Sequence, residues 1–276
     1  MRTRARSTGG ALPLRHAVAL GLLQGPTELL PISSSAHTTL VPWLARWPYE
    51  ELDGELRKAF EVALHSGAAL ALALSMRAQL GAQARTMRAR GAGIVALACG
   101  PPALAGLLFG RVAEARLGGP RTIACALAAG AVAMALADAE RPEGRRSCSE
   151  ARLRDGLALG IAQATALIPG VSRSGATLTA ARSRGFSRAA AQSLSWGVAL
   201  PVMAGASALQ GARLLRAGAP ARIRRALLAG LASAFCSTLA SAALLRGSLA
   251  EMPLAPWALY RCMLAMLVLA RTGRSG

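Results

Sequence analysis

The stretch Gly21-Leu-Leu-Gln24-Gly-Pro-Thr-Glu28-Leu-Leu-Pro31-Ile-Ser33-Ser34-Ser35-Ala36-His37 decides how the chain is read. It closes an apolar run, Ala11–Pro31, at a proline and passes straight into hydroxyls and a histidine instead of a charged loop. A second run, Gly156–Pro169, ends the same way in Pro169-Gly-Val-Ser172-Arg173-Ser174-Gly-Ala-Thr177. With Gly21 laid on Gly160, Gln24 falls on Gln163, Ser33 on Ser172 and Ser35 on Ser174 without a gap. Paired, interrupted apolar segments at matching places in two halves are the signature of an inverted repeat whose site lies between the copies.

Six further blocks approach the ~20 apolar residues that cross a bilayer. They are Phe60–Met76, Gly93–Gly110, Thr122–Ala137, Ala189–Leu209, Ala226–Leu245 and Ala255–Ala270, separated by Arg-bearing loops. Three follow each copy of the interrupted segment, so the second copy enters the membrane in the opposite sense from the first. Helix-breaking backbone at membrane depth is tolerated only inside protein or beside water. The two interrupted runs are therefore expected to be re-entrant helix-loop-helix elements; an ordinary spanning helix that ends at the interface is the other reading. The expected fold is an all-α integral membrane protein with six transmembrane helices and two re-entrant elements. Residues 1–276 form a single membrane domain, with halves at about 11–138 and 155–271 joined by the basic loop 139–154.

Composition agrees. Of 276 residues, 53% are apolar and 16% charged, where soluble domains carry about 25% charged. Disorder is excluded by so apolar a chain. A net charge of +19, from 32 basic and 13 acidic residues, first raises nucleic acid as a partner. The basic residues lie between apolar blocks, not along one stripe, and only 4% of residues are aromatic, so no nucleic-acid partner is expected. Arg loops fall on both faces, and the positive-inside rule gives no orientation. The five cysteines are scattered, with no metal-ligand or disulfide spacing. Met1–Gly10 before an apolar run looks like a leader, but no small-residue cleavage site follows, and the run is expected to belong to the fold.

Eleven of the thirteen acids lie at loops or block ends; Glu28 and Glu61 lie in or beside apolar stretches. An ionisable group at membrane depth is costly and points to function. Gln24 and Glu28, four apart, share a helix face, and Pro26 and Pro31 mark a distorted, ending helix. Glu28 is either a working carboxylate or a partner for broken backbone. Ser33, Ser34, Ser35 and His37 bring hydroxyls and a group that titrates near neutrality, and His37 is expected to be oriented by Glu28. In the second segment, a Gly-rich break, Ser172, Arg173, Ser174 and a helix start near Thr177 combine free N–H groups with a guanidinium fork, which is what a phosphate site needs. The plain alternative is an arginine capping a helix end. The repeat sets Ser34 against Arg173. His65 is expected to pack between helices, or to add a donor.

These two motifs resemble the signatures of the bacterial undecaprenyl-diphosphatase family of bacitracin-resistance type. Phe60-Glu-Val-Ala-Leu-His-Ser-Gly67, Phe186-Ser-Arg188-Ala-Ala-Ala, Pro201 and Tyr260-Arg261 support the resemblance, which runs in order over nearly the whole chain. It implies a multi-pass enzyme of the bacterial inner membrane, with its site facing the periplasm. That enzyme hydrolyses undecaprenyl diphosphate to undecaprenyl phosphate and inorganic phosphate, recycling the lipid carrier of peptidoglycan synthesis and conferring bacitracin resistance. By resemblance, Glu28 is the acidic motif residue, Ser34 the nucleophile or phosphate ligand, His37 the general acid/base and Arg173 the diphosphate ligand. Gln24, Ser33, Ser35, Ser172, Ser174 and Thr177 are expected to line the substrate. A magnesium or calcium ion on Glu28 is implied too, although Gln24 stands where many members carry Glu. The assembly the resemblance allows beyond a monomer is a homodimer. The competing function on the same frame is a polyprenyl-phosphate transporter or flippase. An acid-phosphatase mechanism is excluded, because it needs a histidine after the Ser-Arg pair and none follows His65.

Overall fold

Proline removes a backbone donor and clashes one turn back, so a helix meeting it must bend, end or find help. A computed structural model of the protein, which describes residues 12–49, 52–78, 81, 89–140, 144–217, 221–245 and 252–273, shows where each outcome occurs. Helix α1 (Leu14–Leu29) ends two residues before Pro31, and α2 (Ser34–Ala45) doubles back from it. Helix α3 (Gly54–Ser75) begins at an Asp53 cap, whose side chain accepts from Glu55 N at 2.9 Å. Helices α4 (Ala89–Leu117) and α5 (Pro120–Ala139) complete the first half. After a 3-10 turn at Cys148–Glu150, the order recurs: α6 (Leu153–Thr165) and α7 (Arg173–Ser183), then α8 (Arg188–Ala217), α9 (Ala221–Leu245) and α10 (Ala255–Gly273). No strand is formed among the described residues; Arg146 and Phe186 make one isolated bridge. All six apolar blocks are helices, and both interrupted runs are helices that stop short of their proline.

The packing interlocks the halves. Helix α1 lies chiefly against α9, and α6 chiefly against α4. Helices α3 and α8 meet, as do α5 and α10. Small residues make these approaches close. Any Cβ at Gly25 would collide with Ser237 on α9, and one at Gly156 would come within 2.6 Å of the Ile94 carbonyl on α4. Each contact also repairs a proline. Pro26 deprives Leu22 O of its helical donor, and Ser237 Oγ donates to it at 2.5 Å. Pro102 deprives Ala98 O, and Gln163 Nε2 donates to it at 3.0 Å.

Polarity is turned inside out. Gln24, Glu28, His37, Arg182 and Arg261 are buried, while Leu104, Leu107, Leu228, Leu244 and Leu267 are largely exposed. Water penalises such a surface and hydrocarbon does not. Among the described residues, three helices are long and apolar enough to cross a membrane: Ala89–Gly110, Pro120–Ala139 and Ile223–Leu245. At one end of the second hairpin, Asp155 is enclosed by two arginines. Arg146 donates to Oδ2 at 2.7 Å, Arg184 donates to Oδ1, and the carboxylate also caps α6 through Arg152 N at 2.8 Å. Burial pushes the Asp155 carboxyl up, and the hydrogen bonds from Arg146 and Arg184 more than reverse this, holding it well below the usual carboxylate range.

Candidate active site

Both hairpins deliver their tips to one place. The first tip turns at Ser33, whose φ of 75° is a left-handed value seldom adopted by residues other than glycine. That turn starts α2, and Ser33 Oγ accepts from Ala36 N at 3.4 Å as its cap. The second tip turns at Gly170, φ 100°, where a Cβ would also press on the Ile123 carbonyl. Ser172 then caps α7, accepting from Gly175 N at 3.1 Å.

Glu28 lies where the tips meet, 6% exposed, with donors on both carboxylate oxygens. Arg173 NH2, from the second tip, donates to Oε1 at 3.0 Å. Ser34 Oγ, from the first tip, donates to Oε2 at 2.8 Å, and Gln24 Nε2 donates to the same atom at 3.1 Å. Thus Ser34 and Arg173, set against each other by the repeat, share one carboxylate. The Arg173 fork is half used, since NH1 is buried and has no partner. Its guanidinium also lies 5.6 Å from the centre of the Trp196 ring on α8.

The remaining expected residues divide. Ser35 is 3.3 Å from Ser33 through their hydroxyls, beside the first tip. Ser174 reaches across to donate to Leu30 O at 3.4 Å, and its hydroxyl is 3.1 Å from that of Ser172. Thr177 is turned away from the tips: it donates within its own helix, to Arg173 O at 3.0 Å, and its hydroxyl meets Ser195 at 2.6 Å.

The expected pairing of His37 with Glu28 is not formed. One helical turn beyond Ser33, the ring falls back over that residue, and Nδ1 donates to Ser33 O at 2.7 Å. Nε2 is therefore the acceptor, and it receives the Tyr260 hydroxyl at 2.6 Å. Glu28 instead has His65 beside it. Gln24 Nε2 donates to His65 Nδ1 at 2.9 Å, and that nitrogen is 3.4 Å from Glu28 Oε2. His65 therefore belongs to the site and is more than a packing residue. Its side chain is 38% exposed.

Residues 17–267 match the family described as Bacitracin resistance protein BacA. The chain belongs to this family. An undecaprenyl-diphosphatase of Geobacter sulfurreducens is 40% identical over 271 residues, covering 94% of this chain and 98% of the relative. Proteins of the same name from Geobacter metallireducens and Pelobacter propionicus are each 37% identical, over 90% and 95% of this chain and 94% and 99% of their own lengths.

Sequence alone left His65, on α3, between a packing role and an added donor, and gave Tyr260, on α10, no role at the site; the fold sets His65 beside Glu28 and Tyr260 on His37. The Phe60-to-Gly67 and Tyr260-Arg261 segments carry no local pattern that assigns their partners. Gln163, the repeat mate of Gln24, mends α4 and does not join the site. The side chains do not fit a divalent cation. Among the described residues Glu28 is the one carboxylate at the tips, and both its oxygens already accept from N–H and O–H donors. Among the described residues no three His, Cys, Asp or Glu side chains gather to form a metal site.

Proposed function

We propose that this protein is an undecaprenyl-diphosphate phosphatase, releasing inorganic phosphate and undecaprenyl phosphate and so returning the lipid carrier to peptidoglycan synthesis. The observation that carries the reading is the meeting of Ser34 Oγ and Arg173 NH2 on the two oxygens of Glu28. On this reading Ser34 is the nucleophile, Glu28 its proton acceptor and Arg173 the phosphate-binding cation, and their hydrogen bonds hold the three in one cluster. Family membership and the names of the relatives supply the substrate class.

Arg173 receives the terminal phosphoryl oxygens, beginning with its unpartnered NH1. Ser34 Oγ attacks that phosphorus as its proton passes to Glu28 Oε2. The bond to the bridging oxygen breaks, and the lipid monophosphate departs. Water then attacks the phosphoserine, the proton on Glu28 returns to Ser34 Oγ, and phosphate leaves. Positioning and fixed positive charge supply most of the rate in phosphoryl transfer. His37 and Tyr260 hold the turn at Ser33, which aims Ser34, and Gln24, its amide shared with His65, holds Glu28. No step requires the magnesium or calcium ion that the resemblance implies.

The membrane arrangement belongs to the same proposal: six crossing helices, α3, α4, α5, α8, α9 and α10, and two re-entrant pairs, in the bacterial inner membrane with the site open to the periplasm. The reciprocal packing of α1 on α9 and α6 on α4 supports two inverted halves. Phosphate release from a polyprenyl diphosphate by the purified protein in liposomes tests the reading. Ser34→Ala, Glu28→Gln and Arg173→Ala are expected to lower the rate by about 10²–10³-fold each, the scale for losing one preorganised group. Wild-type-like rates in all three variants would falsify the site. Translocation of polyprenyl phosphate by a hydrolysis-dead variant would instead favour the transporter.

A further inference from the structure

Arg261 has no role in that mechanism, and its surroundings are unusual. It is 1% exposed, on α10, directly after the Tyr260 that holds His37. NH1 donates to Pro31 O at 3.5 Å and NH2 to Gly170 O at 3.3 Å, so one guanidinium touches the tips of both hairpins. Both bonds are long, and Nε is buried without a partner. Space has been cleared around the group. A Cβ on Gly130 of α5 would run into NH2, and one on Gly175 of α7 would lie 2.7 Å from NH1.

Among the described residues no carboxylate pairs with Arg261. The other fully buried arginine, Arg182, has one: its Nε donates to Asp138 at 2.8 Å. Glu28, the acid of the site, is taken by Arg173. A buried cation left with carbonyl dipoles is expensive unless an anion completes it. The amino ends of α2 and α7 converge at the same tips, and each adds partial positive charge. Two guanidiniums and two helix ends therefore meet at the tips, where Glu28 is the one carboxylate among the described residues, and the site lacks negative charge. A diphosphate supplies it.

We propose that Arg261 is a positioning residue of the diphosphate site: an unpaired buried cation, coupled to both hairpin tips, whose counter-ion is the bound ligand. This deepens the phosphatase reading and rests on it for the identity of the ligand. At 1% exposed, Arg261 acts through its field and through the two tip carbonyls, without contact to the reacting atoms.

The counter-ion role and a plain structural tether move stability in opposite directions. A tether predicts that Arg261→Met melts earlier than the wild type. A counter-ion predicts that the unliganded variant melts no earlier, because an unpaired buried charge has gone, while stabilisation by ligand shrinks. The experiment is thermal unfolding of the full-length protein in detergent, with and without methylenediphosphonate, a non-hydrolysable diphosphate, together with phosphate-release kinetics. The expected result is a ligand-induced rise in Tm for wild type and Arg261→Lys, loss of that rise in Arg261→Met, and a KM at least tenfold higher with a smaller loss in kcat. An earlier-melting or unfolded Arg261→Met overturns the proposal, as does a retained ligand shift or an unchanged KM. A wild type that binds methylenediphosphonate but releases no phosphate sinks the phosphatase reading and leaves the Arg261 comparison intact.

Discussion

Gln24 and Gln163 occupy equivalent places in the repeat, yet they do different work. Gln24 divides its amide between Glu28 and His65, while Gln163 gives its own to the carbonyl that Pro102 strands at Ala98. Replacing Gln163 with Leu leaves that buried acceptor unpaired, at a cost of about 1–3 kcal/mol. The expected outcome is a lower melting temperature with phosphate release unchanged at permissive temperature; a loss of turnover without a loss of stability would contradict the assignment. This pair also marks how far linear reading goes. Glu28, Ser34 and Arg173 were legible because proline-ended apolar runs have few polar residues to offer. His65 at Glu28 and Tyr260 at His37 were not, because each contact joins helices that only tertiary packing brings together. The Glu28–His37 pair was misread because nine positions along the chain say nothing about which way a ring falls after a left-handed turn at Ser33.

Helices were the most readable level, since each apolar block and each interrupted run became one, and prolines marked the tips. What the pattern left open was which helix lies against which. The second hairpin is anchored by Asp155, whose two arginines hold its carboxyl below the ordinary range. A depressed folded-state value gives stability that is present above the unfolded carboxylate value of about 4 and is lost as pH falls below it. Asp155→Asn removes that dependence and leaves Arg146 and Arg184 without their partner. The expected loss is about 3 kcal/mol, at the low end for a broken buried pair because both arginines reach water. Thermal unfolding from pH 7 to pH 3 checks it: the variant is expected to be less stable at neutrality and to have a flatter acid limb. Equal acid sensitivity in variant and wild type would refute the role given to Asp155.

For the whole molecule, the proposed arrangement fixes which loops share a face. Arg121 donates to Thr272 O at 2.9 Å, and Arg90 to Ser149 O at 2.9 Å, so these ends form two separate groups. In a cysteine-free background, Gly119→Cys and Ser149→Cys are expected to react with an impermeant maleimide from opposite sides of the membrane. Labelling of both from one side would break the count of six crossings.

The interlocked halves also set a schedule for biogenesis. Leu22 and the Ser237 that completes its helix are 215 residues apart. At about 5–20 residues per second, the ribosome needs on the order of ten to forty seconds to deliver the second after the first. During that interval the nascent first hairpin, with its stranded carbonyl and its glutamate, lacks its permanent shelter. The first hairpin therefore gains this partner only when nearly the last helix has been made. A chain terminated before α9 leaves Leu22 O without its donor and is then not a smaller enzyme but an unfinished one.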